Sequence, residues 1–173
     1  MAEALDPPLP DDIDDLAHTV LTLACDQGLR LATAESCTGG LLASLLTDIP
    51  GKSHAFERGF VTYTDEAKAE LLGVPLALIR DAGAVSEPCA TAMAEGALAN
   101  SHADVAVSIT GFTEGAPGQP AGLVHFGCAQ RSGPVRHRVE CFGAVGRAEV
   151  RLSALRVALA MLHDGLSAVA KAA

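Results

Sequence analysis

Apolar residues recur along the chain with two different periods, and these periods separate its predicted helices from its predicted strands. The three- and four-residue spacing of an amphipathic helix is followed near the start by Ile13, Leu16, Ala17, Val20, Leu21 and Ala24. Gly28 suits the end of this helix. Residues 104–110 instead form the β-branched run DVAVSIT, which is typical of a strand buried on both faces.

Applied to the whole chain, the same criteria predict alternating helices and strands. The predicted helices span residues 12–27, 39–47, 64–73, 75–83, 88–102 and 147–169. The predicted strands span residues 30–34, 56–63, 104–110, 122–130 and 135–142. Because a short turn at 131–134 separates the last two strands, we expect them to form an antiparallel hairpin. The predicted fold class is therefore α/β, a three-layer α/β/α sandwich with a mixed sheet.

Length and charge limit the number of domains and the classes of partner. With 173 residues, of which 49% are hydrophobic, the chain suits one domain with a sizeable core. We place this domain at 11–173, after a flexible proline-containing leader at 1–10. A formal net charge of −9 repels phosphate backbones and anionic membranes, and 3% aromatic residues offer few platforms for stacking bases. We therefore expect no nucleic-acid partner and no membrane association.

Cysteine usage and the first residues predict the compartment. The five cysteines are odd in number and lack a C-x-x-C pair, so we expect reduced thiols in the cytoplasm rather than disulfides. The start of the chain lacks the basic and apolar regions of a signal peptide. The six histidines show no metal-ligand spacing, and we expect neither a metal nor a cofactor.

The segment ESCTGG, at 35–40, is the first candidate site because it connects a predicted strand to a predicted helix. At such a position the first N–H groups of the helix have no partners within it, and glycines let a ligand approach the backbone. Ser36 could then be a nucleophile beside an oxyanion or phosphate cradle. The alternative is that Ser36 or Thr38 only caps the helix. Cys37 is a less favoured nucleophile, since cysteine is also a common core residue.

Tyr63 and Lys68 form the second candidate site. Lys68 lies about one turn into a predicted helix and borders its apolar face, where burial would lower the pKa of its amine. A neutral amine is the base that a serine nucleophile needs. The alternative is a surface lysine whose stem covers apolar neighbours.

Two further positions lie where ligands commonly bind. Thr110 ends a predicted strand and is followed by Gly111, the first residue of a glycine-rich loop over 111–122. Arg147 begins the last predicted helix, where a cation is unfavourable unless it holds an anion. The alternative for Arg147 is an ion pair with Glu149 or with a neighbouring carboxylate.

Taken in order, these segments resemble the CinA C-terminal domain family. The matching stretches run from Thr33 to Arg151, over about two-thirds of the chain: TAESCTGGLLASLLTDIPGKSHAFERGFVTYTDEAKAELLGV, GAVSEP, ADVAVSITG, GLVHFG and RAEVR. Characterised members of this family are nicotinamide mononucleotide amidohydrolases, which act in pyridine nucleotide recycling. The resemblance therefore implies hydrolysis of that nucleotide to nicotinate mononucleotide and ammonia. It also implies a homodimer, a metal-free site, and a stand-alone deamidase without the additional N-terminal domain of larger relatives.

The resemblance also implies roles for individual residues. Ser36 matches the nucleophile of the motif, and Tyr63 and Lys68 match its catalytic partners. The implied substrate-binding residues are Glu35, Cys37, Thr38, Gly39, Gly40, Thr110, Gly111 and Arg147.

Two segments depart from the family pattern. The loop GFTEGAPGQPAG is shorter than the usual glycine-rich stretch, and residues 143–147 lack the aspartate of the usual G-D-R. Both departures fall where a phosphate or ribose would be held. They leave two alternatives open: a nucleotide-binding domain without turnover, and a serine amidase for another small amide.

Overall fold

The computed structural model describes residues 9–172, with side chains described as far as Val169. Six α-helices are present in this range: α1 (Asp11–Gln27), α2 (Leu41–Thr47), α3 (Asp65–Leu72), α4 (Leu76–Ala82), α5 (Glu87–Ala99) and α6 (Arg147–Ala172). The strands are β1 (Leu31–Glu35), β2 (Phe56–Val61), β3 (Val105–Phe112), β4 (Leu123–Gln130) and β5 (Arg136–Cys141). Most of the predicted leader, residues 1–8, lies outside the described residues.

The strands form one mixed sheet in the order β2-β1-β3-β4-β5. Strand β1 lies between β2 and β3 and is parallel to both, whereas β4 and β5 complete the sheet as an antiparallel hairpin beside the central strand β3. Glu35 stands level with Val61 in β2 and with Ile109 in β3. The segments that follow these three residues therefore meet at one edge of the sheet.

Helices cover both faces of the sheet, as the alternating pattern predicts. On one face, α1, α2 and α6 pack against apolar residues such as Leu31 and Val107. On the other face, α3, α4 and α5 pack against small residues such as Ala34 and Ala106. Because both faces are covered, all five residues of β1 are buried. The three-layer α/β/α prediction is confirmed.

Helix α6 has the length and apolar composition of a membrane-crossing segment over Arg147–Val169. Half of its most apolar window is buried inside the protein, and Ala154, Leu155 and Leu162 belong to the core beside the sheet. Its apolar character is therefore explained by packing.

Element boundaries differ from prediction where backbone geometry overrides sequence pattern. Helix α2 begins at Leu41 rather than at 39 because Gly39 and Gly40 have φ angles of 63° and 94°, which a right-handed helix excludes. Strand β1 extends to Glu35, and β3 extends to Phe112 because Gly111 and Phe112 pair with β4. Tyr63 lies beyond the end of β2 rather than within it.

Candidate active site

A cleft of about 310 Å³ opens at the edge of the sheet where β1, β2 and β3 end. Ligand sites of open α/β sheets lie at this edge, beyond the carboxyl ends of parallel strands. Seven of the predicted residues line the cleft: Ser36, Cys37, Tyr63, Lys68, Thr110, Gly111 and Arg147. The lining also includes Glu114, which is not among the predicted site residues. Four predicted residues are not in this lining: Glu35, Thr38, Gly39 and Gly40.

Lys68 and Ser36 meet inside this cleft. The Lys68 Nζ lies 3.3 Å from Ser36 Oγ, although 32 residues separate the two in the sequence. Only 1% of Lys68 and 8% of Ser36 are exposed to solvent. The amine also donates to the carbonyl of Thr62 at 3.1 Å and to that of Tyr63 at 3.5 Å. A neutral amine that uses its two hydrogens in this way directs its lone pair at the serine hydroxyl.

Burial lowers the pKa of Lys68 because it disfavours the charged ammonium. Among the described residues, no carboxylate lies within ion-pair distance of the amine. Cys89, Asp65 and Cys37 favour the charged ammonium, but together they do not outweigh the effect of burial on the pKa of Lys68. The surroundings of Lys68 therefore favour a neutral base.

Helix α3 positions this amine. Thr64 caps the helix by accepting a hydrogen bond from the Ala67 amide at 3.1 Å, and the Lys68 amide donates to the Thr64 carbonyl. Side chains of a helix lean towards its N-terminus. Lys68 consequently reaches back over the end of β2 towards Ser36, which excludes the surface-lysine alternative.

The turn after β1 leaves two amide groups for a ligand. The Ser36 amide donates to Ile109 in β3, and the Gly39 amide donates to the Ser36 carbonyl. The Gly40 amide donates to Glu35. Within residues 9–172, no acceptor is recorded for the amides of Cys37 and Thr38. These two groups lie beside Ser36 and are the available donors for an oxyanion.

Arg151 of α6 holds this turn from the core side. Its Nε donates to the Cys37 carbonyl at 2.9 Å. That carbonyl belongs to the same peptide unit as the Thr38 amide, so the cation polarises the peptide and strengthens the amide as a donor. Arg151 is thus a positioning residue for the turn.

Glu35 has a structural role in the turn between β1 and α2. Its carboxylate is fully buried and accepts the amides of Gly40, Leu42 and Ala43 at 3.2, 3.1 and 2.8 Å. These are amides of the first turn of α2, which have no partners within the helix. Glu35 therefore joins β1 to α2 and holds the intervening turn, and its oxygens are already occupied.

Cys37 contributes backbone to the cleft, whereas its thiol belongs to the core. The residue is 6% exposed and packs in the apolar cluster between the sheet and α1, α2 and α6. Burial raises the pKa of this thiol to about 11. A thiol in this state is a poor nucleophile at neutral pH.

Thr110 and Gly111, at the end of β3, form another part of the cleft lining. The Thr110 hydroxyl donates to the Ala84 carbonyl at 2.8 Å, which fixes the segment before α5 against β3. A Cβ atom at Gly111 would lie 2.7 Å from Val124 and 2.9 Å from the Leu123 carbonyl. Glycine is therefore required at 111 by the close approach of β4.

Arg147 lies at the mouth of the cleft, at the first residue of α6. Its Nη2 is 3.0 Å from the Glu114 carboxylate, so it pairs with a neighbouring acidic residue but not with Glu149. Glu114 is the main cause of the raised pKa of Arg147, and the Tyr63 phenol adds to it. Tyr63 is 67% exposed and contacts Lys68 through its carbonyl. The position of Glu114 two residues after the end of β3 was the sequence signal that could have identified it.

Metal-binding and cysteine chemistry can be judged from the described part of the chain. There, no group of three or more His, Cys, Asp or Glu residues is arranged to hold a metal ion. All five cysteines are free thiols.

Comparison with known proteins relates this geometry to a family. The family model described as the CinA C-terminal domain matches residues 13–166. The chain is 47% identical over 139 residues to the nicotinamide-nucleotide amidohydrolase PncC of Escherichia coli K12, covering 79% of this chain and 84% of that protein. A putative competence-damage inducible protein of Symbiobacterium thermophilum is 53% identical, but the match covers 69% of this chain and only 29% of that longer protein.

Solved structures share the same fold. The competence/damage inducible protein CihA from Agrobacterium tumefaciens superposes with a TM-score of 0.88 at 45% identity, covering 91% of this chain and 97% of the other. A CinA superfamily protein from Escherichia coli gives a TM-score of 0.79 at 42% identity, covering 87% and 88%.

The occupied carboxylate of Glu35 predicts a loss of stability in Glu35→Gln. In the variant, the side-chain NH₂ of the glutamine would face backbone amides that donate to a carboxylate oxygen in the wild type. Because two donors cannot pair with each other, we expect the free energy of unfolding to fall by about 2–4 kcal/mol. Urea denaturation measures this difference. Glu66→Gln, at an exposed position in α3, is the matched control and should stay within about 0.5 kcal/mol of the wild type. Equal stability of the two variants would contradict the bridging role.

The buried thiol of Cys37 predicts selective alkylation. At neutral pH we expect iodoacetamide to label the exposed Cys141 and to leave Cys37 unmodified, because Cys37 is both protonated and inaccessible. Peptide mass spectrometry after the reaction identifies the labelled positions. Unfolding the protein in urea should make Cys37 reactive. Labelling of Cys37 in the folded protein as fast as Cys141 would show that its thiol belongs to the reactive site.

Proposed function

Because the chain belongs to the CinA C-terminal domain family, we propose that it hydrolyses the carboxamide of nicotinamide mononucleotide to nicotinate mononucleotide and ammonia. The observation that carries this proposal is the buried contact of 3.3 Å between Lys68 Nζ and Ser36 Oγ. The name of the Escherichia coli relative supports the substrate, since the match covers most of both chains.

In the first half of the reaction, Ser36 Oγ attacks the carboxamide carbon and its proton passes to the neutral Lys68 amine. The charge that develops on the carbonyl oxygen is stabilised by the amides of Cys37 and Thr38, and Arg151 polarises the Thr38 peptide. The C–N bond then breaks, and Lys68 returns the proton to the leaving nitrogen. Ammonia departs, and the nicotinoyl group remains as an ester on Ser36.

In the second half, Lys68 takes a proton from water as the water oxygen attacks the ester carbon. The bond between the ester carbon and Ser36 Oγ breaks, the proton passes from Lys68 to Ser36 Oγ, and nicotinate mononucleotide leaves. Tyr63 assists by accepting a hydrogen bond from Lys68 at its carbonyl and by bringing its phenol to the cleft mouth. Thr110 and Arg147 orient the nucleotide, with Arg147 at its phosphate.

One observation favours a second candidate, a serine amidase for another small amide. Glu114 already pairs with Arg147, the cation proposed to bind phosphate. An uncharged amide would need no such cation.

We further propose that the protein acts in the cytoplasm, in keeping with its free cysteines, and that it is a homodimer.

The nucleophile assignment predicts the effect of Ser36→Ala. Without the hydroxyl, no ester can form, and we expect kcat for ammonia release from nicotinamide mononucleotide to fall by at least about 10³-fold. A coupled assay for ammonia measures the rate. Ser44→Ala, at an exposed position on α2, is the matched control and should keep the wild-type rate. Comparable rates in Ser36→Ala and wild type would remove Ser36 from this role.

The lowered pKa of Lys68 predicts a pH dependence with a defined sign. The active form is the neutral amine, so kcat/KM should rise with pH as Lys68 loses its proton and level off above its pKa. Because burial lowers that pKa, the plateau should begin below the ordinary range of a lysine. A pH–rate profile of wild type and Lys68→Met tests this.

Lys68→Met should lose the rising limb of the pH profile and most of its activity. The control variant Lys52→Met should keep the rising limb and the wild-type activity. A wild-type profile without a rising limb below the ordinary titration range of a lysine would contradict the assignment. Circular dichroism verifies that each variant is folded.

A further inference from the structure

The cleft offers an anionic ligand one accessible cation. Among the described residues, two basic side chains line it, and one of them, Lys68, is buried and hydrogen-bonded to Ser36 and two carbonyls. Arg147, with 45% of its side chain exposed, is the other. A phosphate group entering this cleft would therefore meet Arg147 at the mouth.

Glu114 already forms an ion pair with Arg147. Its Oε2 lies 3.0 Å from Arg147 Nη2, and its side chain is 67% exposed. Other charged side chains near Arg147 have their own partners: Glu149 pairs with Arg156, and Arg151 donates to Cys37. An exposed pair of this kind is weak, because water competes for both groups, so a stronger anion can displace the carboxylate.

The fold places Glu114 at this position through a short closed loop. Strand β3 ends at Phe112, whose carbonyl accepts the Gly122 amide at 2.7 Å, so the loop closes at its base. Gly115, with a φ of 84°, turns the chain directly after Glu114. A Cβ atom there would lie 3.2 Å from the Gln119 carbonyl, which restricts this turn to glycine. Glu114 is therefore held opposite the start of α6.

We propose that Glu114 competes with the anionic group of the substrate for Arg147 and so sets how well the enzyme binds phosphorylated amides. The anion competition follows from the ion pair alone, and only the identity of the substrate rests on the proposed function. A phosphate dianion can take both guanidinium N–H groups and is the stronger partner of arginine. While Glu114 remains charged beside it, like-charge repulsion lowers the affinity for phosphate.

Calorimetric titration with inorganic phosphate tests the competition directly. At constant ionic strength, we expect Glu114→Gln to bind phosphate about tenfold more tightly than wild type, because the repulsion and the competing ion pair are removed. The double variant Glu114→Gln/Arg147→Gln should lose this binding. Glu149→Gln removes a nearby carboxylate that does not pair with Arg147, and it should bind as wild type does. Equal or weaker phosphate binding by Glu114→Gln overturns the proposal, as does the absence of measurable binding in every variant.

Kinetics separate this inference from the proposed function. With nicotinamide mononucleotide as substrate, Glu114→Gln should lower KM about tenfold with little change in kcat, and with nicotinamide riboside, which lacks the phosphate, KM should change far less. An increased KM for the nucleotide would show that Glu114 binds the substrate itself, which overturns the competition. If neither substrate releases ammonia in any variant, the amidohydrolase proposal fails, while the phosphate titration still decides the role of Glu114.

Discussion

Among the residues that the structure describes, the buried amine of Lys68 has no carboxylate partner, and the candidate active site is built around it. Lys68 is 1% exposed, and the polar atoms around it are two backbone carbonyls and the hydroxyl of Ser36. Carbonyl oxygens satisfy the hydrogens of a neutral amine, but they compensate poorly for the lost hydration of an ammonium. The fold therefore lowers the pKa of this amine and places it against the Ser36 hydroxyl, as the proposed role of a base requires.

Holding this contact requires rigid support on both sides. The amine is fixed by the capped first turn of α3, and the hydroxyl is fixed by a turn attached at three places. The turn is bonded to β3 through the Ser36 amide, to Glu35 through the start of α2, and to α6 through Arg151. Within residues 9–172, the amides of Cys37 and Thr38 are the two in the turn that this support does not use.

The cleft mouth is built differently from its interior. Inside, the groups are buried and their geometry is set by the sheet and by helix termini. At the mouth, Arg147, Glu114 and Tyr63 are substantially exposed, and their contacts are ones that a ligand can exchange. In our proposal, residues of the interior hydrolyse the amide bond, and residues at the mouth determine how well a phosphorylated substrate binds. Hydrolysis and phosphate binding can therefore change independently. The loop between β3 and β4, which departs from the family pattern and carries Glu114, affects phosphate binding.

The sequence by itself determined the layered fold, the order of the elements and most of the residues that line the cleft. Hydrophobic period and turn residues are local properties, and the motif around Ser36 is recognisable wherever it folds. Tertiary structure alone decided that Glu35 caps α2, that the Cys37 thiol faces the core, and that Arg147 pairs with Glu114 rather than Glu149. The contacts of Glu35 and Arg147 depend on which distant group lies within about 3 Å, the range of a hydrogen bond, and the burial of Cys37 depends on how the helices pack on the sheet. Strand register and helix packing fix such distances, and spacing along the chain does not encode them directly.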